Sequence, residues 1–216
     1  MRIALIHALS HSVDPINTVM AEQWPNAIRM NVLDDSLSAD LAGSGQGLDA
    51  AMHQRFLDLS DYVVATGVHG ILFTCSAFGP CIEAVKARHA HLPVFKPNEA
   101  MILEAESHTQ QIGLIASFSG TLQTMPAEFS AETQVQTALV AEALDALNRG
   151  DVAGHDAAVL AAAQGLEQAG AQAIALAQFS MARAAPLVRQ HVSVPVFTTP
   201  ESAVRALKRA LGQGTH

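Results

Sequence analysis

The sequence predicts an α/β fold made of two similar halves, each a doubly wound parallel sheet. Short apolar runs of strand length alternate with helical patterns along the 216 residues, of which 50% are hydrophobic. Several runs are apolar without alternation, which is typical of parallel strands buried on both faces. The predicted strands cover residues 2–8, 27–32, 70–74, 93–95, 111–116, 134–139, 171–177 and 195–197.

The segments between these runs have helical spacing. One stripe of a helix is formed by Leu48, Met52, Phe56, Leu59 and Val63. Residues 156–169 are rich in alanine and are followed by Gly170, a residue type that commonly ends helices. Thr199 and Pro200 are expected to open the last helix as its N-cap and its first residue. Residues 41–47, with three glycines, are expected to form a loop.

The sequence repeats itself, and the repeat is what predicts two halves. Residues 67–75 align with 170–178, 93–95 with 195–197, and 3–6 with 112–115. The last of these alignments places Ser10 on Ser119 and Ser12 on Thr121. We therefore expect a first half over residues 1–98 and a second over 99–199, with a final helix at 200–216 that returns to the first half.

The composition argues against several classes of protein. The net charge is −8 and no basic stripe is present, which disfavours nucleic-acid binding. No apolar run approaches 18 residues, which disfavours a membrane span. The short apolar N-terminus lacks the features of a signal peptide. The chain has two cysteines, and the absence of signal-peptide features predicts that they are free thiols in a reducing cytoplasm.

Cys75 is the first candidate for chemistry, because it directly follows a predicted buried strand and precedes a helix expected at Gly79 or Pro80. Ligands of open α/β sheets bind beyond the carboxyl ends of the strands. The positive end of a helix is expected to lower the pKa of the thiol. Hydroxyl groups of Thr74 and Ser76, with backbone N–H groups, suit a carboxylate or an enolate-like oxyanion. A buried, purely structural cysteine is the alternative.

A strand that ends in Thr74-Cys75-Ser76, with an equivalent strand in a second half, resembles the aspartate/glutamate racemase superfamily. That superfamily includes glutamate, aspartate and hydantoin racemases, maleate isomerase and arylmalonate decarboxylase. The resemblance implies an active site in the cleft between the halves, cysteine acid–base catalysis by Cys75, and no metal or organic cofactor. It also implies a small carboxylate or amino-acid-like substrate and a homodimer, the state in which the family often occurs.

The sequence departs from the family at two motifs. The usual Cys-Asn-Thr is Cys75-Ser76-Ala77, and the second cysteine is replaced by Gln178. A two-base racemase needs a proton-transferring group on each face of the reacting carbon. We expect a racemase or isomerase acting on a small amino-acid or carboxylic-acid substrate. The alternatives are a cofactor-free decarboxylase of the arylmalonate type, a non-catalytic amino-acid or dicarboxylate sensor, and a redox role for Cys75 with Cys81.

Further candidate residues follow the predicted strands. Gln178 is grouped with Cys75 in the expected catalytic set, as a hydrogen-bond partner of a substrate carboxylate or amide; capping of the strand end is the alternative. His7 is a candidate base or carboxylate partner. Lys96 is a candidate carboxylate partner, with a solvated loop charge as the alternative. The hydroxyl groups expected to bind substrate belong to Ser10, Thr74, Ser76, Ser119, Thr121 and Ser180. No histidine or cysteine spacing predicts a metal site.

Overall fold

A computed structural model describes residues 1–45 and 47–213. The chain divides into two compact units. Unit 1 comprises Met1–Pro97 together with the segment that starts at Ala203, and unit 2 comprises Asn98–Ser202.

Unit 1 contains a parallel four-stranded sheet in the order β2-β1-β3-β4. The strands are β1 (Arg2–His7), β2 (Ile28–Leu33), β3 (Gly70–Phe73) and β4 (Val94–Phe95). The helices between them are α1 (Val13–Gln23), α2 (Ser36–Ser44), α3 (Ala50–Ala65) and α4 (Gly79–Arg88).

Unit 2 repeats the arrangement, with a parallel four-stranded sheet in the order β6-β5-β7-β8. Its helices are α5 (Glu99–His108), α6 (Ser119–Thr124), α7 (Ala141–Asn148), α8 (Val152–Gln168) and α9 (Ala185–His191). Its strands are β5 (Gln111–Ala116), β6 (Gln134–Leu139), β7 (Ala173–Leu176) and β8 (Val196–Thr198). The predicted fold class is confirmed, and each predicted strand matches an observed strand to within two residues at either end.

The central strands explain why their sequences show no alternation. All residues of β3 and β7 are buried, and so are the last five residues of β1 and of β5. Helices therefore cover both faces of each strand, as in other parallel sheets. The edge strands β2 and β6 are more polar and more exposed. Phe56 of α3 lies against Phe73 and Phe78, with ring centroids 5.4 and 4.9 Å apart, and anchors the core of unit 1.

Close packing on β5 depends on a glycine. A Cβ atom at Gly113 would lie 3.0 Å from the Cβ atom of Leu166 in α8 and 3.0 Å from Cδ1 of Ile174. The absence of a side chain thus lets α8 approach the sheet of unit 2.

The last helix, α10 (Thr199–Ala210), begins in unit 2 and continues in unit 1. The prediction that Thr199 is its N-cap is wrong by one residue. Thr199 is already helical, and the hydroxyl group of Thr198 faces the helix start instead. Thr198 Oγ1 accepts from the backbone N–H of Glu201 at 3.4 Å and donates to Glu201 Oε2 at 2.9 Å. The strand residue therefore supplies the capping hydroxyl.

The predicted loop at residues 41–47 is also wrong in its first part, because α2 continues to Ser44. Leu37 is fully buried and Leu41 is half-buried one helical turn later, so a stripe of leucines holds this segment as a helix. Gly45, with φ of 61°, takes the left-handed conformation that ends α2. The part of the prediction that concerns Gln46 lies outside the described residues.

Candidate functional site

The order of strands in unit 1 places a topological switch point at the carboxyl ends of β1 and β3. The chain passes from β1 to β2 on one side and then to β3 on the other side of β1. Ligands of doubly wound sheets bind at such a topological switch point. His7 is the last residue of β1, and Thr74 and Cys75 directly follow β3. The sequence therefore places three of the predicted site residues at this point of unit 1.

Cys75 lies in extended conformation, with φ of −128° and ψ of 122°, at the start of a single 3-10 turn over Ser76–Phe78. Helix α4 begins immediately afterwards at Gly79, as predicted. The buried ring of Phe78 fixes the turn to the core through its contact with Phe56. The thiol of Cys75 is free and the residue is half-buried.

The environment of Cys75 keeps its thiol protonated. Burial raises the pKa of the Cys75 thiol, while contacts with the backbone of Ala77 and the side chain of Ser38 oppose that shift. The expectation of a lowered pKa at a helix start is therefore wrong for this structure. The 3-10 turn separates Cys75 from the first residue of α4, and desolvation of the thiolate outweighs the opposing contacts.

His7 is fully buried beside this end of β3. Its Nδ1 atom lies 2.9 Å from Oγ1 of Thr74, and its Nε2 atom lies 3.0 Å from Oδ1 of Asn31 in β2. Burial lowers the pKa of the His7 imidazole, and the hydrogen bond with Asn31 acts in the opposite direction. The ring is therefore a neutral link between β2 and the strand end that carries Cys75.

A narrow pocket lies beside Cys75 within unit 1. Apart from His7 and Cys75, its walls are apolar, because they are formed by the buried core around Phe56. The lining residues are Ile6, His7, Ala8, Leu37, Phe56, Phe73, Cys75 and Phe78.

Gln178 occupies the corresponding position in unit 2. It lies in extended conformation, with φ of −131° and ψ of 145°, at the start of a 3-10 turn over Phe179–Ala184. Its Oε1 atom accepts hydrogen bonds from the backbone N–H of Ser117 at 2.6 Å and from the hydroxyl of Ser117 at 2.9 Å. The backbone geometry of Cys75 is thus repeated with an amide side chain, which is neither an acid nor a base and which links β7 to β5.

The remaining predicted substrate-binding residues differ in exposure. Ser10 is exposed at the start of a 3-10 turn and Ser119 is exposed at the start of α6, whereas Ser76 is half-buried and Thr121 and Ser180 are buried. Lys96 pairs with Glu83 of α4, with Nζ 2.9 Å from Oε1. The substrate-binding roles of all these residues stay predictions. The direct contacts that the structure adds are those between His7 and Thr74 and between Ser117 and Gln178.

Sequence reasoning missed Asn31, Asn17 and Ser38. Asn31 donates to Asn17 Oδ1 at 3.2 Å and also contacts His7, while the Ser38 hydroxyl donates to the carbonyl of Ala8 at 2.8 Å. One signal was present in the sequence, since Asn31 is a polar residue within an edge strand that also holds Ile, Met, Val and Leu.

Neither a candidate membrane span nor a candidate metal site occurs in residues 1–45 and 47–213. No helix in residues 1–45 and 47–213 is long and apolar enough to cross a membrane. Within the same ranges, no three His, Cys, Asp or Glu residues are grouped so that they could hold a metal ion.

The sequence matches no protein-family model and no curated protein, whereas the fold matches solved structures closely. A glutamate racemase from Francisella tularensis, solved with D-glutamate, matches with a TM-score of 0.72 at 15% identity, over 98% of this chain and 81% of that one. Allantoin racemase from Klebsiella pneumoniae matches with a TM-score of 0.69 at 19% identity, over 100% and 90% of the two chains. An arylmalonate decarboxylase variant matches with a TM-score of 0.69 at 16% identity, over 100% and 95%.

At these identities the comparisons show the fold. The chain has the two-half α/β fold of these racemases, and the resemblance inferred from Thr74-Cys75-Ser76 is confirmed at that level.

Proposed function

We propose that this chain is a cofactor-independent racemase or isomerase acting on a small amino-acid or carboxylic-acid substrate, with Cys75 as the residue that exchanges the proton. One observation carries the proposal. A half-buried thiol lies at the switch point of unit 1, in a fold shared with racemases of glutamate and allantoin. Thiols at such positions combine access to ligand with a protein environment that controls their protonation.

The proposed chemistry is proton exchange at a carbon next to a carboxyl or carbonyl group. The thiolate of Cys75 removes the proton, and the electron pair of the broken C–H bond moves into an enolate. The Cys75 thiol then returns a proton to the same face, which gives exchange alone, or water delivers one to the opposite face, which inverts the centre and completes racemisation. Hydroxyl groups of Ser10 and Ser76, with backbone N–H groups of the turn that follows Cys75, would hold the carboxylate and the negative charge that develops on the enolate oxygen.

The raised pKa of Cys75 sets a condition for this reaction. Because burial favours the neutral thiol, the thiolate must be stabilised when substrate binds. A positively charged or N–H-bearing group of the substrate next to the sulfur would provide that stabilisation. Without such a group, in the unliganded protein, Cys75 stays a neutral thiol and can act only as a proton donor.

A second candidate function is decarboxylation followed by protonation from one side. It is favoured by the presence of one thiol at the two equivalent strand ends, because Gln178 is neither an acid nor a base and protonation from one side needs only one thiol; the arylmalonate branch, however, keeps its thiol in the half that here carries Gln178. In this reaction the bond to one carboxylate of a malonate breaks, carbon dioxide leaves, and its bonding electrons form the enolate. The protonated thiol of Cys75 then donates its proton to carbon and recovers one from water.

The test is proton NMR in D2O with pooled amino acids, hydantoins, maleate and substituted malonates. Deuterium is expected to enter at the carbon next to the carboxyl or carbonyl group. Replacing the thiol in Cys75→Ala is expected to slow this exchange by about 10²–10⁴-fold, the usual contribution of a general acid–base group. Cys81→Ala serves as the control, because Cys81 is fully buried in α4 and is expected to leave the exchange rate unchanged.

The outcomes separate the functions. Exchange that persists in folded Cys75→Ala would refute the role of the thiol. Release of carbon dioxide from malonates would identify the decarboxylase. Saturable binding without exchange, unaffected by Cys75→Ala, would identify a binding protein.

A further inference from the structure

Ser38 of α2 uses its hydroxyl group in an unusual way for a serine on a helix. A helical serine commonly donates to a carbonyl of the preceding turn. Ser44 of the same helix does so, with its Oγ atom 3.1 Å from the carbonyl oxygen of Leu41. The hydroxyl of Ser38 instead donates to the carbonyl of Ala8, directly after β1, at 2.8 Å. Its hydrogen bond therefore joins α2 to the end of a strand in the sheet.

Ser38 also contacts the thiol of Cys75. Its side chain is a hydrogen-bond partner of that thiol, as is the backbone N–H of Ala77. Ala8 lines the pocket together with Cys75 and with Leu37, the neighbour of Ser38 in α2. The same three pocket residues pack in one core cluster of unit 1. Ser38 therefore connects the sulfur of Cys75 to a backbone carbonyl beside the pocket.

The number of available protons fixes the direction of these contacts. A carbonyl oxygen only accepts, so Ser38 must donate its one hydroxyl proton to Ala8. Toward Cys75 the hydroxyl then has only lone pairs, and the neutral thiol, which carries a proton, is the donor. The hydrogen bonds therefore run from the thiol to Ser38 and from Ser38 to the carbonyl. This order suits the protonated Cys75 that burial favours.

Loss of the thiol proton reverses one of these contacts. A thiolate only accepts, so the lone pairs of Ser38 would face a negative charge unless the hydroxyl turns. The hydroxyl hydrogen rotates about the Cβ–Oγ bond, which requires no movement of heavier atoms. The rotation exchanges a hydrogen bond to a neutral carbonyl for one to an anion, which is the stronger kind. Ser38 can thus stabilise the thiolate of Cys75 without a movement of α2.

The position of Ser38 is fixed from both sides. Arg55 of α3 donates to Asp34 at 2.7 Å and to Asp40 at 2.6 Å. These two carboxylates flank Ser38 in the sequence, and the neighbouring Leu37 is fully buried in the core. The hydroxyl group is therefore held beside the sulfur before any proton moves, and only its hydrogen has to turn when the thiolate forms.

We propose that Ser38 is a positioning residue for Cys75, whose hydroxyl accepts from the neutral thiol and turns to donate to the sulfur when the thiol loses its proton. In the unliganded protein the proton of Cys75 leaves to a base in the solvent, and Ser38 keeps its own. In the reaction Ser38 donates while Cys75 is the base, and accepts once Cys75 holds the proton taken from carbon. Because Ser38 is assigned to the reaction of Cys75, the proposal rests on the proposed function.

The test is the pH dependence of Cys75 alkylation by iodoacetamide in the unliganded protein. Only the thiolate reacts, so the rate below the midpoint reports how well the protein stabilises it. Ser38→Ala is expected to slow alkylation there by about three- to tenfold and to move the midpoint up by as much as about one pH unit. The limiting rate at high pH is expected to stay unchanged. Fragment-ion mass spectrometry assigns the label to Cys75 rather than Cys81.

The direction of the change separates the proposal from a purely structural role. If Ser38 only ties α2 to the strand end, Ser38→Ala loosens the cover of the thiol and alkylation becomes faster. Ser38→Thr keeps a hydroxyl group and is expected to react at close to the wild-type rate. Ser44→Ala removes a hydroxyl of the same helix at a residue that does not line the pocket, and is expected to leave the rate unchanged. Thermal melting confirms that each variant is folded.

Faster or unchanged alkylation in folded Ser38→Ala would overturn the proposal. So would slowing that Ser38→Thr does not reverse, or equal slowing in Ser44→Ala.

Because no substrate is present, the result is also distinguishable from a failure of the proposed function. Alkylation that depends on the Ser38 hydroxyl, in a protein without deuterium exchange, would remove the proposed function and leave the role of Ser38 at the thiol standing. Cys75-dependent deuterium exchange, with alkylation insensitive to Ser38→Ala, would overturn the role of Ser38 and leave acid–base catalysis standing.

Discussion

Burial raises the pKa values of both cysteines, but the two thiols occupy different places in the fold. Cys81 is fully buried inside α4, where burial raises its pKa to about 11. Cys75 is half-buried at the end of a strand, where its thiol adjoins a pocket. The Cys81 thiol is a packing group inside α4, whereas the Cys75 thiol lies next to the pocket at the strand end.

The pKa of Cys75 predicts a specific pH dependence. Because the folded pKa lies above the ordinary value of 9.0, the neutral thiol stabilises the fold below that pH, and this contribution is lost as pH rises through the folded pKa. Alkylation of Cys75 by iodoacetamide, which requires the thiolate, is therefore expected to reach half of its limiting rate above pH 9.0. The rates are read by mass spectrometry, with Cys75→Ala as the control. Rapid alkylation of the unliganded protein at pH 7 would contradict the prediction.

At the scale of helices and strands, the sequence predicted what depends on local pattern. Buried runs such as residues 111–116 were found as strands with the predicted bounds, because a parallel strand buried on both faces must be apolar throughout. The start of α10 was misplaced, because two adjacent threonines offer the same capping chemistry and only the backbone decides between Thr198 and Thr199.

The site was predictable only in part for a similar reason. Cys75 was identified because it follows a buried strand and resembles a known motif. The contacts from Asn17 through Asn31 to His7 join side chains of a helix and two strands. No periodic pattern in the sequence predicts these contacts. The pKa of Cys75 was predicted in the wrong direction, because the sequence does not show how much water the neighbouring side chains exclude.

The packing of α8 on β5 yields a prediction about two glycines. Gly113→Ala would place a methyl group 3.0 Å from Leu166, and such overpacking is expected to lower the free energy of unfolding by about 1–3 kcal/mol. Gly165→Ala is the matched control. Gly165 lies within α8 with nothing within 4 Å of its would-be Cβ, so alanine is expected to raise the free energy of unfolding by up to about 1 kcal/mol. Urea denaturation measures both, and equal shifts would refute the packing argument.

For the molecule as a whole, the important feature is that α10 follows unit 2 in sequence but packs mainly into unit 1. Leu207 is fully buried, and its Cδ2 atom lies only 3.3 Å from where a Cβ of Gly70 in β3 would be. The stability of the first sheet therefore depends on side chains encoded more than a hundred residues away from it.

Removing one of these side chains should act on unit 1. Leu207→Ala is expected to lower the free energy of unfolding by about 2–5 kcal/mol, as for other buried leucines. Hydrogen exchange followed by mass spectrometry is expected to show the larger loss of protection in β3, and the smaller in β7. Leu103→Ala makes the same chemical change at a leucine of α5 that is 68% exposed, and is expected to have little effect. Equal loss of protection in β3 and β7 would contradict the assignment of Leu207 to unit 1.

The path of the chain through the two units also sets an order for biosynthesis. Unit 2 is one continuous stretch, Asn98–Ser202, whereas unit 1 needs residues from both sides of it. A ribosome therefore delivers every residue of unit 2 before it delivers Leu207. Until then β3 lacks the helix that covers Gly70, so the N-terminal sheet leaves the exit tunnel first and is completed last.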